Sequence, residues 1–360
     1  MVERRLSTKT KVWLTFAFII FMGWLLWLAD KNFDDYQLRV LRLIAIYGIM
    51  AVSLNLINGI TGVFSLGHAG FILIGAYTAS LLTLTPEQKA MSYLFGIQPW
   101  IEKMHADFLT ATIAGGITAA IFAFLIGWPV LRLSGDYLAI ASLGFAEVVR
   151  IWANNAMSIT NGPLGLKAIP EYSNTWWTYG WLLVTVIFIA SFVNSTYGRA
   201  LKAIRENRIA AEAMGINVFK HQLMAFVIGA FFAGVSGSLY AHWLTTIDPR
   251  ITTMGPMLTF YVLIMIVLGG LGSITGSLIG AAIFAILFEW LRDLEQPFTF
   301  FGIQVPGIPG MRILTVSVIF ILVMIFWQRG IMGREELTWD NLIKWSRKLA
   351  SLFGRKRGER

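Results

Sequence analysis

The sequence predicts an all-α fold, a polytopic transmembrane helical bundle of about ten spans. Three observations carry this. First, 56% of the 360 residues are hydrophobic and only 14% charged, against about 25% charged in an ordinary soluble domain. Second, the apolar residues come in unbroken runs, and roughly 20 of them cross the ~30 Å of hydrocarbon in a bilayer. Third, the basic residues collect between and beyond those runs. The weak alternating ten-residue segments of a membrane β-barrel do not occur, so helices are the spanning element.

The candidate spans in chain order are 12–29, 39–57, 64–84, 109–131, 137–153, 178–195, 222–243, 256–270, 275–292 and 313–328. The 12–28 run is too long for a signal-peptide core and no small-residue cleavage site clearly follows it, so it is expected to remain as the first helix. Two stretches, 43–86 and 251–288, hold no Asp, Glu, Lys or Arg and are far longer than one crossing needs. Each is expected to be a buried hairpin. Their breaks are visible as Asn58-Gly59-Ile60-Thr61-Gly62 and Gly269-Gly270-Leu271-Gly272-Ser273. Glycine permits the tight turns there, and polar side chains answer the freed backbone groups.

Ten spans with the N-terminus inside place four basic residues ahead of the first span, Arg132, five between Arg199 and Lys220, and nine from Arg329 onward on one side of the membrane. Together these are 19 of the 29 Lys and Arg, which is the cytosolic excess of the positive-inside rule. Both termini are therefore expected in the cytosol. The formal net charge of +9 is read as membrane topology rather than as nucleic-acid binding, since anionic headgroups attract such loops. Residues 1–330 are assigned to a transmembrane domain and 331–360 to a basic cytoplasmic tail. In that tail Trp339, Leu342, Ile343, Leu349 and Phe353 fall near helical spacing among Lys344, Arg347 and Lys348. It either lies flat on the inner leaflet or is a solvated basic tail.

The cytoplasmic segment 197–215 reads as two short helical pieces. Asn207 caps the second, and Gly215 ends it in a left-handed conformation. Arg199, Lys202, Arg205, Glu206, Arg208 and Glu212 give it a charged side, and Ala210 and Ala211 a small-residue side, a surface suited to docking.

Here the sequence resembles the membrane-spanning permease subunits of ABC importers, whose cytoplasmic loop carries an Ala- and Gly-containing coupling motif. Ala210-Ala211 followed by Gly215 matches the spacing of that motif; its usual leading Glu is Ile209 here, and a Glu stands instead at Glu212. Segments 53–62, 64–71, 75–77, 160–166, 197–200 and 268–276, spread over residues 40 to 330, resemble the branched-chain amino-acid permeases in particular. The resemblance implies a second, similar permease subunit, two cytoplasmic ATPase subunits and an extracytoplasmic solute-binding protein. It also implies the permease fold of the vitamin B12 class of ABC importers, a prokaryotic inner membrane, and leucine, isoleucine and valine as substrates, with urea, amides or other amino acids as alternatives. ATP would be bound by the partners, because no Gly-x-x-x-x-Gly-Lys phosphate loop occurs in the chain. No cofactor is expected in this chain.

Polar residues within the runs are the candidate translocation pathway: Asn55, Asn58, Thr61 and Ser65 around the first break, His68 in the third span, and Asn161 and Gly162 in the 160–166 turn. Each has a second reading. Asn55, Asn58, Thr61 and Ser65 either expose the break to a solute or only satisfy it. His68 either lines a path or packs, the latter being favoured, and the Asn-Gly-Pro turn is either a gate or ordinary turn chemistry. Glu147 and Arg150, three apart on one helix face, read first as an ion pair. An ion-coupled secondary transporter remains the rival, with Glu147 as its carboxylate. A membrane enzyme is disfavoured, because the chain has four His, no Cys and no paired carboxylates on facing spans.

Overall fold

The computed structural model describes residues 7–338, apart from 94–95, 134, 251–252, 297, 301–302, 306, 327–328 and 334. The amphipathic pattern expected at 339–353 lies outside the described residues. The chain divides into two units, residues 39–334 and a smaller one of 1–38 with 335–360. In the smaller unit α1 (Thr8–Asn32) is capped by Ser7, whose hydroxyl accepts from the amide of Thr10. It leaves Trp13, Phe16, Ile20, Phe21 and Trp24 exposed, as suits a helix whose solvent is lipid.

The larger unit follows the expected order closely. Helix α2 (Asp35–Asn55) runs into one π-helical turn, Leu56–Ile60. An irregular segment then leads to α3 (His68–Thr83). The short α4 (Pro86–Ser92) and α5 (Pro99–Glu102) precede α6 (Phe108–Val130) and α7 (Asp136–Asn155), and α8 (Met157–Thr160) leads to α9 (Thr175–Asn194). Next come α10 (Thr196–Glu206), α11 (Arg208–Ala213) and the long α12 (Val218–Leu244). The chain continues through α13 (Pro256–Gly269), α14 (Ile274–Trp290) and α15 (Met311–Phe326).

Every one of the ten runs read from the sequence is a helix at that place. Among the described residues six of them are long and apolar enough to cross a membrane, or seven if α3 and the bent α4 count as one broken span. Helices α3, α13 and α15 have only 16, 14 and 16 residues, short of a full crossing. One feature departs from an all-helical expectation: a small antiparallel hairpin, β1 (Phe298–Phe300) with β2 (Ile303–Val305), sits between α14 and α15.

Glycine sets the closeness of the core. A Cβ at Gly75 would overlap the backbone of Gly234, one at Gly115 would meet the carbonyl of Gly75 at 2.8 Å, and one at Gly234 would meet the carbonyl of Gly115 at 2.5 Å. Helices α3, α6 and α12 therefore touch backbone to backbone. Lipid gives no hydrophobic drive for helix association, so such close van der Waals contact holds the bundle. Helices α13 and α14 repeat the device, with Gly276 and Gly280 against the end of α13.

Candidate transport site

The first break is a knot of satisfied backbone. Leaving α2, the chain makes its π turn, and the Thr61 hydroxyl donates to the carbonyl of Leu56 at 2.7 Å. Asn58 staples the irregular segment from both sides, its Nδ2 donating to the Ser65 carbonyl at 3.1 Å and its Oδ1 accepting from the Ser65 amide at 3.2 Å. Ser65 accepts from the amide of Gly67, Ser142 of α7 from that of Leu66, and Thr259 of α13 from that of Ala69. Irregular backbone inside a membrane survives when its polar groups are answered in this way.

The second break is bound to the first. The buried Asn55 donates from Nδ2 to the carbonyl of Ser273 at 2.9 Å and accepts at Oδ1 from the amide of Gly272 at 2.8 Å. Ser273 also caps α14, its hydroxyl accepting from Gly276. Gly270 and Gly272 have φ of 118° and 94°, a region costly for other residues. A Cβ on Gly59 would overlap the Asn55 amide oxygen and lie 2.5 Å from the Gly272 nitrogen, so the two breaks are in direct contact.

Arg205 of α10 reaches into the same corner. Its Nη1 donates to the carbonyl of Gly59 at 2.8 Å, and its Nη2 pairs with Glu206 at 3.1 Å. A Cβ at Gly62 (φ 74°) would sit 2.7 Å from the Arg205 Cγ, and one at Gly272 would sit 2.9 Å from its Nη1. The charged loop thus holds both breaks through one guanidinium.

The loop has the two helical pieces expected of it. The Asn207 side chain caps α11 by accepting from the amide of Ala210 at 3.0 Å, and Gly215 has φ of 81°. Ala211 is buried and helps form a small apolar cluster with Ile204 and Val218. Arg199, Lys202, Glu206, Arg208, Ala210 and Glu212 are exposed, Arg208 pairing with Glu212 at 3.2 Å. Ile209 and Met214 are 80% and 82% exposed.

His68 lies apart from this hydrogen-bonded knot. It is buried, with Nε2 at 3.0 Å from the Ser53 hydroxyl. That hydroxyl also lies 2.9 Å from the carbonyl of Met50, and Nδ1 is left without a partner. Asn161 and Gly162 are elsewhere. Ser142, which touches the first break, is 13 residues from the end of α7, about 20 Å along the axis at 1.5 Å per residue. Asn161 lies beyond that end. At φ 63° it donates to the carbonyls of Ser92 at 2.9 Å and Gly165 at 2.8 Å. Gly165 abuts Ile247, where Leu166 and Ile247 form a single bridge. The proposed pathway residues therefore fall into two separate places. Nearby, the buried Lys89 donates to the carbonyls of Ile101 and Met104 and closes the 86–104 loop.

Glu147 and Arg150 form a two-point ion pair, Nε to Oε2 at 2.9 Å, with Arg150 also reaching the carbonyl of Pro249. Sequence reasoning passed over Ser53, Ser142 and Thr259, whose sequence neighbourhoods are ordinary helix. Their importance comes from packing against a break more than 70 or even 180 residues away in two cases. Among the described residues no group of three or more His, Asp or Glu is arranged to hold a metal.

A helical bundle with two interrupted hairpins tied together, and with a charged helical loop gripping the tie, defines a multi-pass membrane transport protein. Residues 36–328 match the family described as branched-chain amino acid transport system / permease component. The chain is 31% identical over 324 residues to the high-affinity branched-chain amino acid transport system permease protein LivM of Escherichia coli, covering 81% of this chain and 70% of that one. It is 26% identical over 315 residues to the LivH permease protein of the same organism, covering 81% and 92%. A probable LivM of Methanocaldococcus jannaschii is 23% identical over 340 residues, covering 84% and 95%. No solved structure matches. The chain belongs to the permease-component family of branched-chain amino acid transport systems.

Proposed function

We propose that this chain is one membrane-spanning half of an ATP-driven importer of branched-chain amino acids. Its companions are a second, similar permease, two cytoplasmic ABC ATPases and an extracytoplasmic solute-binding protein. The observation that carries this is the α10–α11 loop. Ile209 and Met214 are four-fifths exposed on or beside a six-residue helix, α11, that is otherwise charged or small. Large apolar side chains so presented on a polar element suit a protein partner.

In this reading all ten helices cross the membrane, both termini are cytosolic in a prokaryotic inner membrane, and the fold is that of the vitamin B12 class. Residues Arg199, Lys202, Arg205, Glu206, Arg208, Ala210, Ala211, Glu212 and Gly215 form the coupling loop. Helix α11 seats in an ATPase groove, and closure of the ATPases on nucleotide pulls on it. Arg205 passes that displacement to Gly59, and Asn55 passes it to Gly272 and Ser273, so α2, α3, α13 and α14 tilt together. Access then alternates between the two sides. His68, with its unpartnered Nδ1, and the 55–65 and 161–162 segments border the path. ATP is bound and hydrolysed by the partners, and no cofactor belongs to this chain.

Reconstitution of the chain with the other subunits in proteoliposomes tests this. Leucine uptake should require ATP, both ATPases and the solute-binding protein. Uptake driven by a proton or sodium gradient without any ATPase would instead establish a secondary transporter.

A further inference from the structure

A cavity of about 320 Å³ lies between the irregular segment after α2, the start of α7 and the α10–α11 turn. Small-molecule sites begin at about 300 Å³. We propose that this cavity is a regulatory site for a free zwitterionic amino acid with an apolar side chain, which binds from the side of the α10–α11 loop and slows transport. The proposal rests on the importer reading given above.

Its walls supply both halves of such a ligand. Val63, Phe64, Leu138 and Ile204 give an apolar surface. Asp136 presents a carboxylate that has no ion-pair or hydrogen-bond partner among the described residues. Arg205 and Arg208 present guanidiniums that still have N–H groups to offer; the Nε of Arg205 is buried without a partner, and Arg208 gives only Nε to Glu212. Gln222 of α12 is only 9% exposed, yet its amide makes no hydrogen bond among the described residues. The amide offers a donor and an acceptor to a ligand in the cavity.

The mixture of signs selects the ligand class. A phosphate or dicarboxylate would meet Asp136 as well as the two guanidiniums, and a simple cation would meet both guanidiniums. A zwitterion satisfies all three, its carboxylate toward Arg205 and Arg208 and its ammonium toward Asp136. Gln222 answers either end, and the apolar wall takes the side chain. His68 does not line the cavity, whereas Thr61 to Phe64, from the segment that borders the proposed path, do.

Its position decides the consequence. Ile204 and Arg205 belong to α10, Val63 and Phe64 to the irregular segment, and Asp136 and Leu138 to the start of α7. A ligand bridging all three ties α10 and the first break to α7, which is not among the helices that tilt with them. It therefore favours one state of the transporter, and the shift equals its difference in affinity for the two. An importer inhibited by its own product on the delivery side stops when the cell is replete.

The test uses the full complex in proteoliposomes with the ATPases facing outward and the solute-binding protein inside. L-leucine is added on the ATP side, and ATP hydrolysis and transport are both measured. Both rates should fall as leucine rises, and L-glutamate at the same concentrations should leave them unchanged. Asp136→Asn and Gln222→Leu should each raise the half-inhibitory leucine concentration about tenfold or more while preserving the uninhibited rate. If Asp136→Asn fails to assemble, Gln222→Leu alone decides. ATP-driven transport that ignores leucine on the ATP side overturns the proposal and leaves the importer reading standing. So does inhibition that is equal in wild type and variants, or equal for glutamate. Absence of any ATP-dependent transport overturns both.

Discussion

The bundle has two irregular regions, and they are built differently. At the α10–α11 end, two interrupted hairpins are joined by Asn55 and gripped by Arg205 from a loop almost 150 residues away. Three glycines are pressed against that grip, so that any added carbon strikes backbone or the Arg205 side chain. At the other end, Asn161 ties its own turn to Ser92 and Gly165, and Lys89 closes its own loop on Ile101 and Met104. The first region links helices and has no slack. The second secures loops to one another. A displacement entering at α10 therefore reaches α2, α3, α13 and α14, whereas one entering at Asn161 is absorbed by the loops around it.

The largest effect is expected from Gly59→Val. Overpacking costs about 1–3 kcal/mol and sometimes more, and here the new atoms meet an amide oxygen and a backbone nitrogen that cannot both retreat. Folded protein recovered by size exclusion should fall sharply, and recovery at wild-type level would show that the corner does have slack. Next comes Arg205→Gln, which removes a charge-assisted bond worth about 1.5–3 kcal/mol. It should cut ATP-driven uptake about tenfold or more while ATP hydrolysis persists, and normally coupled uptake would remove Arg205 from the chain of transmission.

Asn55→Ala leaves the amide of Gly272 unanswered, at about 1–3 kcal/mol, while the carbonyl of Ser273 keeps the amide and hydroxyl of Ser277. Thermal unfolding in detergent should show the loss, and uptake per folded molecule should fall as well. The smallest effect belongs to the other end. Asn161→Gly keeps the left-handed turn and loses two hydrogen bonds, so stability should drop by about 1–3 kcal/mol. Uptake per folded molecule should remain unchanged. Equal uptake defects in Asn55→Ala and Asn161→Gly would erase the difference between the two regions.

Each of the ten apolar runs legible in the sequence is helical in the fold, because an unbroken apolar run has one stable form in hydrocarbon and a glycine break interrupts it visibly, but among the described residues only six or seven of those helices are long and apolar enough to cross a membrane. The caps of the α10–α11 loop were equally legible: Asn207 and Gly215 act within one turn of their own positions, where local chemistry decides. The hairpin at 298–305 was not, since its two short strands carry no pattern that separates them from a loop. Nor was the partner of each polar residue. Asn55, Asn58, Thr61 and Ser65 were singled out as polar groups at a break, and the choice between facing a solute and sealing the break was open. In the fold their side chains hydrogen-bond to the breaks, and Asn55 crosses from one to the other.

What the sequence determined by itself is that this chain lies in a membrane, roughly where its apolar helices fall, and which loop is charged and capped. Those are properties of runs and turns, and each is settled within about 20 residues. Only the tertiary structure decided that Arg205 meets Gly59, that the two breaks form one knot, and that Asp136 and Gln222 face a shared cavity with two arginines. Such contacts join residues tens to hundreds of positions apart. They depend on helices that approach through glycine to backbone distance, and a single sequence does not record which glycine faces which.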